Sequence, residues 1–299
     1  MSTNPVDPAD EGAHAPGDQQ LWSESWYFDF FQHDGSLGGW VRIGLYPNLG
    51  VAWYHAYVVG EGRPTLAVQD LEVPLPKAGS LELRSHGLWA DHTSETALEH
   101  WSLGNETFAL SVDDPADLYA LEPRGEQVPM GLDLEWETDG SPHHYLHTTR
   151  YEIPCRVHGE VLIGDERIEL DGWGQRDHSW GERDWWALAW VWCSGRLDDG
   201  TRFHGSDIRV PNIDIGFGYW QPGEQTNAVH ADEQLGAAGF PTSASIDIGG
   251  LPLTIEPVGF APSYLTLGDK VDRFPRALCR VTAADGRPGW AWTEWNQPQ

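Results

Sequence analysis

The chain has 299 residues, 40% of them hydrophobic, which is enough to bury a core in one large or two medium domains. It carries 46 acidic and 18 basic residues, and its formal net charge of -28 repels phosphate backbones and anionic lipid headgroups. Nucleic-acid binding and a peripheral membrane role are therefore disfavoured. The 17 tryptophans are an excess that predicts aromatic cores or apolar pockets.

The first twenty residues predict a disordered acidic tail. They are rich in proline, glycine and aspartate, and they contain no apolar core of the kind found in a signal peptide. No segment approaches the apolar length of a membrane span, so we expect no membrane insertion and a cytoplasmic location. The cysteines, Cys155, Cys193 and Cys279, are odd in number and widely spaced, which predicts buried free thiols.

Short segments rich in β-branched and aromatic residues follow one another along the rest of the chain. The clearest predicted strands are residues 51–59, 150–154, 186–193 and 245–248. Asp-Gly and Gly-Gly turns separate such segments, and helical character is limited to a short turn near residues 231–238. This pattern predicts an all-β protein of antiparallel barrels or sandwiches. A weak repeat between residues 34–48 and 199–212 suggests two similar halves.

One segment, residues 174–186, concentrates titratable and aromatic side chains between glycines, with the sequence Gly-Gln-Arg-Asp-His-Ser-Trp-Gly-Glu-Arg-Asp-Trp-Trp. Glycine allows the backbone to approach a cavity closely, and tryptophan faces hold a hydrocarbon or a developing cation. Alternation along a strand places His178 and Trp180 on one face and Asp177 and Ser179 on the other. We expect only one of these pairs to face the interior.

Two aspartates are candidates for acid–base chemistry, and each has a structural alternative. Asp177 is either a catalytic group or the partner of Arg176 or Arg183 in an ion pair that holds the turn. Asp207 lies in the middle of a predicted strand and shares a face with Arg209, so a structural salt bridge is its alternative.

The segment after the glycine-rich motif predicts an aromatic wall. Alternation over residues 186–192 places Trp186, Trp190 and Trp192 on one face, opposite small residues, as in a barrel strand. These tryptophans either line a cavity or simply fill the barrel. Glu294 shares a strand face with further tryptophans near the end of the chain. It is either a second interior carboxylate or, as we expect, a charge at the barrel rim.

Two histidines near the middle of the chain, His143 and His147, lie on one face of a short segment and are candidate metal ligands. The segment follows Gly-Ser-Pro, which is typical of an exposed loop, so we expect no metal there. The sequence contains no phosphate-binding loop, dinucleotide fingerprint or nucleophile elbow.

The run Arg-Asp-His-Ser-Trp-Gly at residues 176–181, followed by an arginine and a Trp-Trp pair, resembles the signature of the carotenoid hydratase (hydroxyneurosporene synthase) and lipocalin-like superfamily. That superfamily includes bacterial proteins of unknown function and fungal pericyclases. In the hydratases an acid implicated in catalysis follows the His-x-Trp pair, and Asp207 stands at that distance here. The hydratases have a tyrosine two positions before this acid. This chain has Gly205, which argues against a carotenoid as the substrate.

The resemblance extends to residues 38–43 and 292–296 and covers most of the chain. It implies two lipocalin-like antiparallel β-barrel domains packed together, with the ligand cavity at or between them and with no metal or organic cofactor. We assign residues 1–20 to the tail, 21–148 to the first domain and 149–299 to the second domain, which would carry the Arg-Asp-His-Ser-Trp-Gly motif.

The chemistry that suits these residues is the addition of water to, or its removal from, a terpenoid or prenyl-type alkene or tertiary alcohol. Protonation of an alkene needs a carboxylic acid that burial keeps neutral, and tryptophan faces then shield the cation. We assign Asp207 as the leading proton donor, with His178 as its partner and Asp177 as a third catalytic group. The expected substrate-binding residues are Trp180, Trp186, Trp190, Trp192 and Glu294.

Two alternatives remain open at this point. The same pocket would also suit a terpenoid cyclase or isomerase, and a non-catalytic carrier of an apolar ligand would need only the aromatic wall. An enzyme requires Asp177, His178 and Asp207 to converge on one cavity, within hydrogen-bond reach directly or through one water. A carrier does not require this convergence.

Overall fold

The computed structural model of the protein describes residues 6–145, 148–223 and 225–299, with the backbone alone described for Asp214. The described chain forms two antiparallel sheets and two short 3₁₀ helices, Pro8–Glu11 and Pro115–Leu118. This confirms the predicted all-β class with two β-barrel domains.

The first sheet is a closed barrel. Its strands pair in the order β4-β3-β2-β1-β11-β10-β8-β7, and β7 pairs back onto β4, which leaves no free edge in this ring. The strands of this sheet are β1 (Trp22–Gln32), β2 (Gly38–Tyr46), β3 (Val51–Val59), β4 (Thr65–Pro74), β5 (Leu83–Ser85), β6 (Leu88–Thr96), β7 (His100–Val112), β8 (Glu126–Thr138), β9 (His143–His144), β10 (Arg150–Ile163) and β11 (Glu166–Glu182).

The second sheet curls into a nearly closed barrel with the order β15-β14-β13-β12-β22-β21-β18-β17-β16, and β20 joins β19 to β22. Side chains of β13 bond to β16 across the gap, since Asp207 accepts from the Ala231 backbone and Arg209 pairs with Glu233. Its strands are β12 (Ala189–Leu197), β13 (Arg202–Val210), β14 (Ile213–Gln221), β15 (Gln225–Thr226), β16 (Val229–Leu235), β17 (Pro241–Ile248), β18 (Leu251–Phe260), β19 (Ser263–Leu267), β20 (Lys270–Phe274), β21 (Arg276–Ala283) and β22 (Pro288–Pro298).

Strand β1 shows why both faces of some strands are apolar. Its residues Trp26, Phe28 and Phe30 belong to the core of the first barrel, whereas Tyr27 and Phe31 join an aromatic cluster that includes residues of β12 and β22. Because this strand lies between the two barrels, side chains on both of its faces are removed from water. Its neighbour β11, which carries the glycine-rich motif, also lies between the two barrels.

The passage from the first sheet to the second lies between Glu182 and Ala189. The predicted division at residues 148 and 149 would separate β10 and β11 from β8 and β1, the strands with which they pair. The motif of residues 176–181 therefore belongs to the first sheet, and independent folding of two domains stays a prediction.

The predicted disordered tail is wrong for residues 6–20, while residues 1–5 lie outside the described part of the chain. The 3₁₀ helix Pro8–Glu11 follows Asp7, whose side chain accepts a hydrogen bond from the Ala9 backbone amide at 2.9 Å. Glu11 is buried and pairs with Arg176 at 2.7 Å. A charged partner inside the barrel, far along the chain, holds this acidic segment in place.

Two local predictions are also corrected. Residues 229–235 form strand β16 rather than a helical turn. The predicted strand 186–193 begins only at Ala189, because the Asp184 side chain and carbonyl accept hydrogen bonds from the backbone of Trp186 and Ala187 and close a turn. The three cysteines are free and buried, as predicted. Within the described residues, no helix has the length and apolar character needed to cross a membrane.

Asp272 in β20 leads to a prediction about stability and pH. It is fully buried, its Oδ1 accepts from the Gln297 amide at 3.2 Å, and its Oδ2 has no hydrogen-bond partner among the described residues. Burial raises the pKa of Asp272 to about 7, against the effect of Arg276. Because the pKa is raised in the folded state, folding favours the protonated form of Asp272. This contribution to stability is complete at pH values below the unfolded-state pKa, and it is lost as the pH rises through the folded-state pKa.

We therefore expect Asp272→Asn to gain stability relative to wild type as the pH rises from 4 to 8. Three pKa units correspond to about 4 kcal/mol, which sets the upper limit of the gain. Urea unfolding at each pH measures it, and the exposed Asp269→Asn, on the adjoining turn, is the control. A constant difference between Asp272→Asn and wild type across this range would contradict the raised pKa.

Candidate functional site

A cavity of about 110 Å³ lies between the two barrels. One part of its wall is aromatic and comes from β12 and the turn before it: Trp185, Trp190 and Trp192. The other part is polar and comes from the segment that leads into β10 and from the end of β11: Tyr145, Arg150 and Arg183. Apolar faces opposite a few convergent polar groups are the usual form of a small-molecule site.

Two buried carboxyl groups share one arginine beside this cavity. Arg150 lies 2.7 Å from Glu152 Oε1 and 2.9 Å from Asp177 Oδ2 through the same Nη2 atom. The pairing of β10 with β11 creates this arrangement, because Glu152 stands directly opposite Asp177 in the register. One guanidinium therefore faces two acids, which disfavours ionisation of both at once.

The pKa values of the two acids beside Arg150 shift in opposite directions. Burial acts to raise the pKa of Glu152, but the charge of Arg150 and hydrogen bonds from Trp192 and Gln175 outweigh it and lower the pKa below the usual value. Burial raises the pKa of Asp177 to about 7, although Arg150 acts in the opposite direction. Asp177 therefore titrates near neutral pH while Glu152 stays ionised.

The Tyr145 hydroxyl forms a second polar element of the cavity wall. It lies 2.7 Å from His204 Nε2 and 3.1 Å from Glu152 Oε1. Burial lowers the pKa of His204 to about 3, so the ring is neutral, and its Nδ1 lies 3.1 Å from the Cys193 carbonyl oxygen. A carbonyl only accepts, so Nδ1 carries the proton and Nε2 accepts from Tyr145. The single hydroxyl proton thus has two buried acceptors.

Arg183 adds a cation to the wall. Burial and the nearby Arg150 lower its pKa to about 10, which leaves it charged at neutral pH. It forms no ion pair within the described part of the chain, whereas Arg150 is held by two acids. Arg183 is therefore available to a polar or anionic group of a ligand.

The tryptophans predicted to bind substrate separate into two groups. Trp190 and Trp192 line the cavity, and their role in substrate binding stays a prediction. Trp186 lies in the turn and donates to the Leu265 carbonyl at 3.3 Å, and Trp180 stacks on His14 at 3.9 Å in the first barrel. Trp185 lines the cavity instead, and strand alternation does not predict this because Trp185 lies in a turn.

His178 and Asp177 lie on opposite faces of β11, as alternation predicts, and both faces are buried. His178 points into the first barrel, with Nε2 at 3.0 Å from Glu24 Oε1 and Nδ1 at 3.3 Å from the Tyr151 hydroxyl. Asp177 points toward the second barrel, and its partner is Arg150 rather than Arg176 or Arg183.

Asp207 faces strand β16, where its Oδ2 accepts from the Ala231 amide at 2.9 Å and lies 3.7 Å from His230 Nδ1. The alternative interpretation of Asp207, a salt bridge with Arg209, is not observed either, because Arg209 pairs with Glu233. The hydrogen bonds of Asp207 and His178 thus belong to separate networks. Among the three acid–base candidates, only Asp177 contacts a side chain that lines the cavity.

Glu294 is buried, which corrects its expected place at the rim. Its Oε1 lies 2.9 Å from Arg276 Nε, and the Arg276 guanidinium covers the Trp40 ring at 4.0 Å. The candidate histidine pair is only half described. His143 is buried rather than in an exposed loop, its ring centroid lies 6.0 Å from that of His204, and His147 lies outside the described residues.

Gly205 stands where the hydratase signature has a tyrosine, and the packing around this position explains the difference. A β-carbon at this position would lie 2.9 Å from Ile246 Cδ1 and 3.0 Å from Ile248 Cγ1, inside the core of the second barrel. Contacts this short require the neighbours to move. A tyrosine at this position would not fit the packing that this chain has.

A family model described as a domain of unknown function, DUF7064, matches residues 7–299. The chain belongs to the DUF7064 family. A comparison of the sequence with curated proteins finds no match. The family match spans the ordered N-terminal segment as well as both sheets, so membership applies to the whole described architecture.

Solved structures share the fold of this DUF7064 protein at low sequence identity. An AttH-type protein of Nitrosomonas europaea is 14% identical with a TM-score of 0.66, and the match covers 99% of this chain and 98% of that one. Kievitone hydratase from Nectria haematococca is 12% identical, with a TM-score of 0.57 and coverage of 92% and 89%. CghA in complex with Sch210972 is 10% identical, with a TM-score of 0.54 and coverage of 95% and 93%. These similarities confirm the fold that the resemblance implied.

Proposed function

We propose that this DUF7064 protein is a hydro-lyase that adds water to, or removes it from, a prenyl-type alkene or tertiary alcohol in the cavity between its barrels. The observation that carries the proposal is Asp177, a buried carboxyl group with a pKa raised to about 7 beside an aromatic-walled cavity. A carboxylic acid that is still protonated near neutral pH is the group that alkene protonation requires. The shared fold of kievitone hydratase supports this reaction class.

In this mechanism Asp177 gives its proton to the alkene, and the electron pair of the double bond forms the new C–H bond. The tertiary cation that results faces Trp190 and Trp192, whose π-systems stabilise it. Water adds to the cation, and the resulting oxonium returns one proton to the Asp177 carboxylate, directly or through a second water. This leaves a neutral alcohol and restores the acid. The Tyr145 hydroxyl, with its acceptors Glu152 and His204, orients the water or takes part in this proton transfer.

The proposal assigns the acid role to Asp177 and not to Asp207, because Asp207 bonds to the backbone of β16. It also leaves His178 out of the reaction, since its partners lie in the first barrel. The substrate has an apolar body that matches the tryptophan wall and a polar group that reaches Arg183.

The carrier hypothesis remains the alternative, and the separation of His178 from Asp207 favours it. A carrier, however, has no need for two buried acids on one arginine at the ligand cavity, since each acid costs free energy to bury. A cyclase or isomerase would use the same acid without net transfer of water.

Incubation with linear terpenoid alkenes and alcohols in ¹⁸O- and ²H-labelled water, followed by mass analysis, tests the proposal. We expect a product that has gained or lost one water, with ¹⁸O in any alcohol formed. Deuterium in a product that has neither gained nor lost water would indicate isomerisation, and binding without conversion would indicate a carrier. Ser206 lines the cavity and forms no hydrogen bond to Glu152 or Asp177, so Ser206→Trp is expected to fill the cavity and abolish turnover. Unchanged turnover in this folded variant would place the reaction elsewhere.

A further inference from the structure

Three potential metal ligands meet inside the first barrel, where the N-terminal segment crosses it. Glu24 Oε1 lies 2.6 Å from His14 Nδ1 and 3.0 Å from His178 Nε2, and the three ligand atoms all lie within 4.8 Å of one another. Glu24 and His178 are buried, and His14 is about one quarter exposed. The site uses side chains from β1, β11 and the segment before β1, so it exists only in the folded chain.

The surroundings hold each ligand in the orientation that a metal requires. Glu24 Oε2 accepts the His14 backbone amide at 2.8 Å, which leaves Oε1 directed at both rings. Trp180 stacks on His14 at 3.9 Å, and Trp26 stacks on His178 at 4.5 Å. These contacts restrict the rotation of both imidazoles.

The outward nitrogens of the two rings also have oxygen partners. His178 Nδ1 lies 3.3 Å from the Tyr151 hydroxyl, which donates to a buried carboxylate, and His14 Nε2 lies 3.5 Å from Asp10 Oδ1. Metal-binding histidines nearly always have such a partner on the second nitrogen, because it fixes the tautomer and strengthens the ligand. This second observation distinguishes the cluster from a chance meeting of polar side chains.

We propose that His14 Nδ1, His178 Nε2 and Glu24 Oε1 bind a divalent transition-metal ion of the Zn²⁺ class. Bonds of about 2.0–2.1 Å in tetrahedral geometry place ligand atoms about 3.3 Å apart, so the cluster needs only a small expansion. Two nitrogens and one carboxylate oxygen suit such an ion and leave a fourth position for water. The site lies apart from the cavity between the barrels and does not depend on the proposed hydro-lyase activity.

The bound ion would fasten the N-terminal segment to the barrel. His14 is the ligand supplied by that segment, and Glu11 is its other buried anchor. Ligand binding to the folded state alone stabilises that state, so the ion should raise the unfolding temperature and protect the segment from proteases. Local sequence patterns do not reveal this site, because the composition around His14 predicts a disordered tail.

The experiment uses the full chain, stripped with a chelator and titrated with Zn²⁺ by calorimetry and with Co²⁺ by visible absorption. We expect one ion per chain, absorption bands of four-coordinate Co²⁺, and slower proteolysis within residues 6–20 when the ion is bound. His14→Ala and Glu24→Gln should each weaken binding by at least about a hundredfold, since even the loss of an outer partner costs about 10- to 100-fold. His33→Ala, on an exposed turn, is the matched control and should bind like wild type.

Two results would overturn the proposal. The absence of stoichiometric Zn²⁺ and Co²⁺ binding by the folded wild type would show that Glu24 simply accepts hydrogen bonds from both rings. Stoichiometric binding that persists in both folded variants would place the ion on other histidines. Circular dichroism of each variant establishes that the chain is folded before binding is measured.

Discussion

Asp177→Asn is expected to lower kcat/KM for an accepted alkene by about 10²- to 10⁴-fold, the usual contribution of a positioned acid. Asparagine keeps the size of the side chain and its contact with Arg150, but it has no acidic proton to give. The fold should persist, because the substitution removes a group whose ionised form is costly to bury. The control is Asp171→Asn, which changes an exposed acid on the same strand.

The pH profile provides a second measurement for the same residue. Protonated Asp177 is the active form, so kcat/KM should fall by about tenfold per pH unit above the pKa of about 7 that burial gives this carboxyl. Arg150 favours the ionised form, so Arg150→Gln should move this decline to higher pH. A wild-type profile that keeps rising beyond pH 9, or full activity of folded Asp177→Asn, would remove Asp177 from the reaction.

Glu11→Gln is expected to destabilise the protein by about 3 to 5 kcal/mol, because it leaves a buried arginine without its counter-charge. Arg176 is 2% exposed, and its Nη1 donates to Glu11 at 2.7 Å. Its Nε and Nη2 atoms have no hydrogen-bond partner among the described residues, so no other group takes over the charge. Glu11 also accepts from the Tyr151 hydroxyl at 2.8 Å and from the Trp101 indole.

Urea unfolding followed by circular dichroism measures this effect. Glu166→Gln is the control, because its partner Arg63 lies at the surface and both groups are solvated. The control should unfold close to wild type. Adding Arg176→Met to Glu11→Gln should recover most of the loss, since no buried charge then remains. If Glu11→Gln unfolds like wild type, the N-terminal segment does not occupy the barrel in solution.

Both expected effects depend on β11, which lies between the two barrels. One face of the strand carries Arg176 and His178 into the first barrel, where they meet the N-terminal segment. The other face carries Asp177 toward the second barrel and Arg150. A single strand thus supplies one ligand of the proposed metal site, His178, and the proposed acid, Asp177, and the two sites can be tested with independent variants.

The local pattern of the sequence was enough to predict the class of fold. Short runs of β-branched and aromatic residues predict strands such as β3, in which every residue after Val51 is buried. Successive side chains of a strand point to opposite faces. The same rule correctly placed Asp177 and His178 on opposite faces. It also correctly placed Trp190 and Trp192 on one wall, because both lie within a regular strand.

The partners of these side chains were decided only by the tertiary structure. Asp177 meets Arg150 through the register of β10 on β11, and Glu11 meets Arg176 although 165 residues separate them along the chain. Local composition reveals neither contact, so the acidic N-terminal segment predicts disorder even though the buried Arg176 neutralises Glu11 in the folded chain. Separation of His178 from Asp207 has the same origin. The sequence predicts which residues lie in strands and which of them share a strand face. Strand pairing and the curvature of each barrel determine which faces share a cavity.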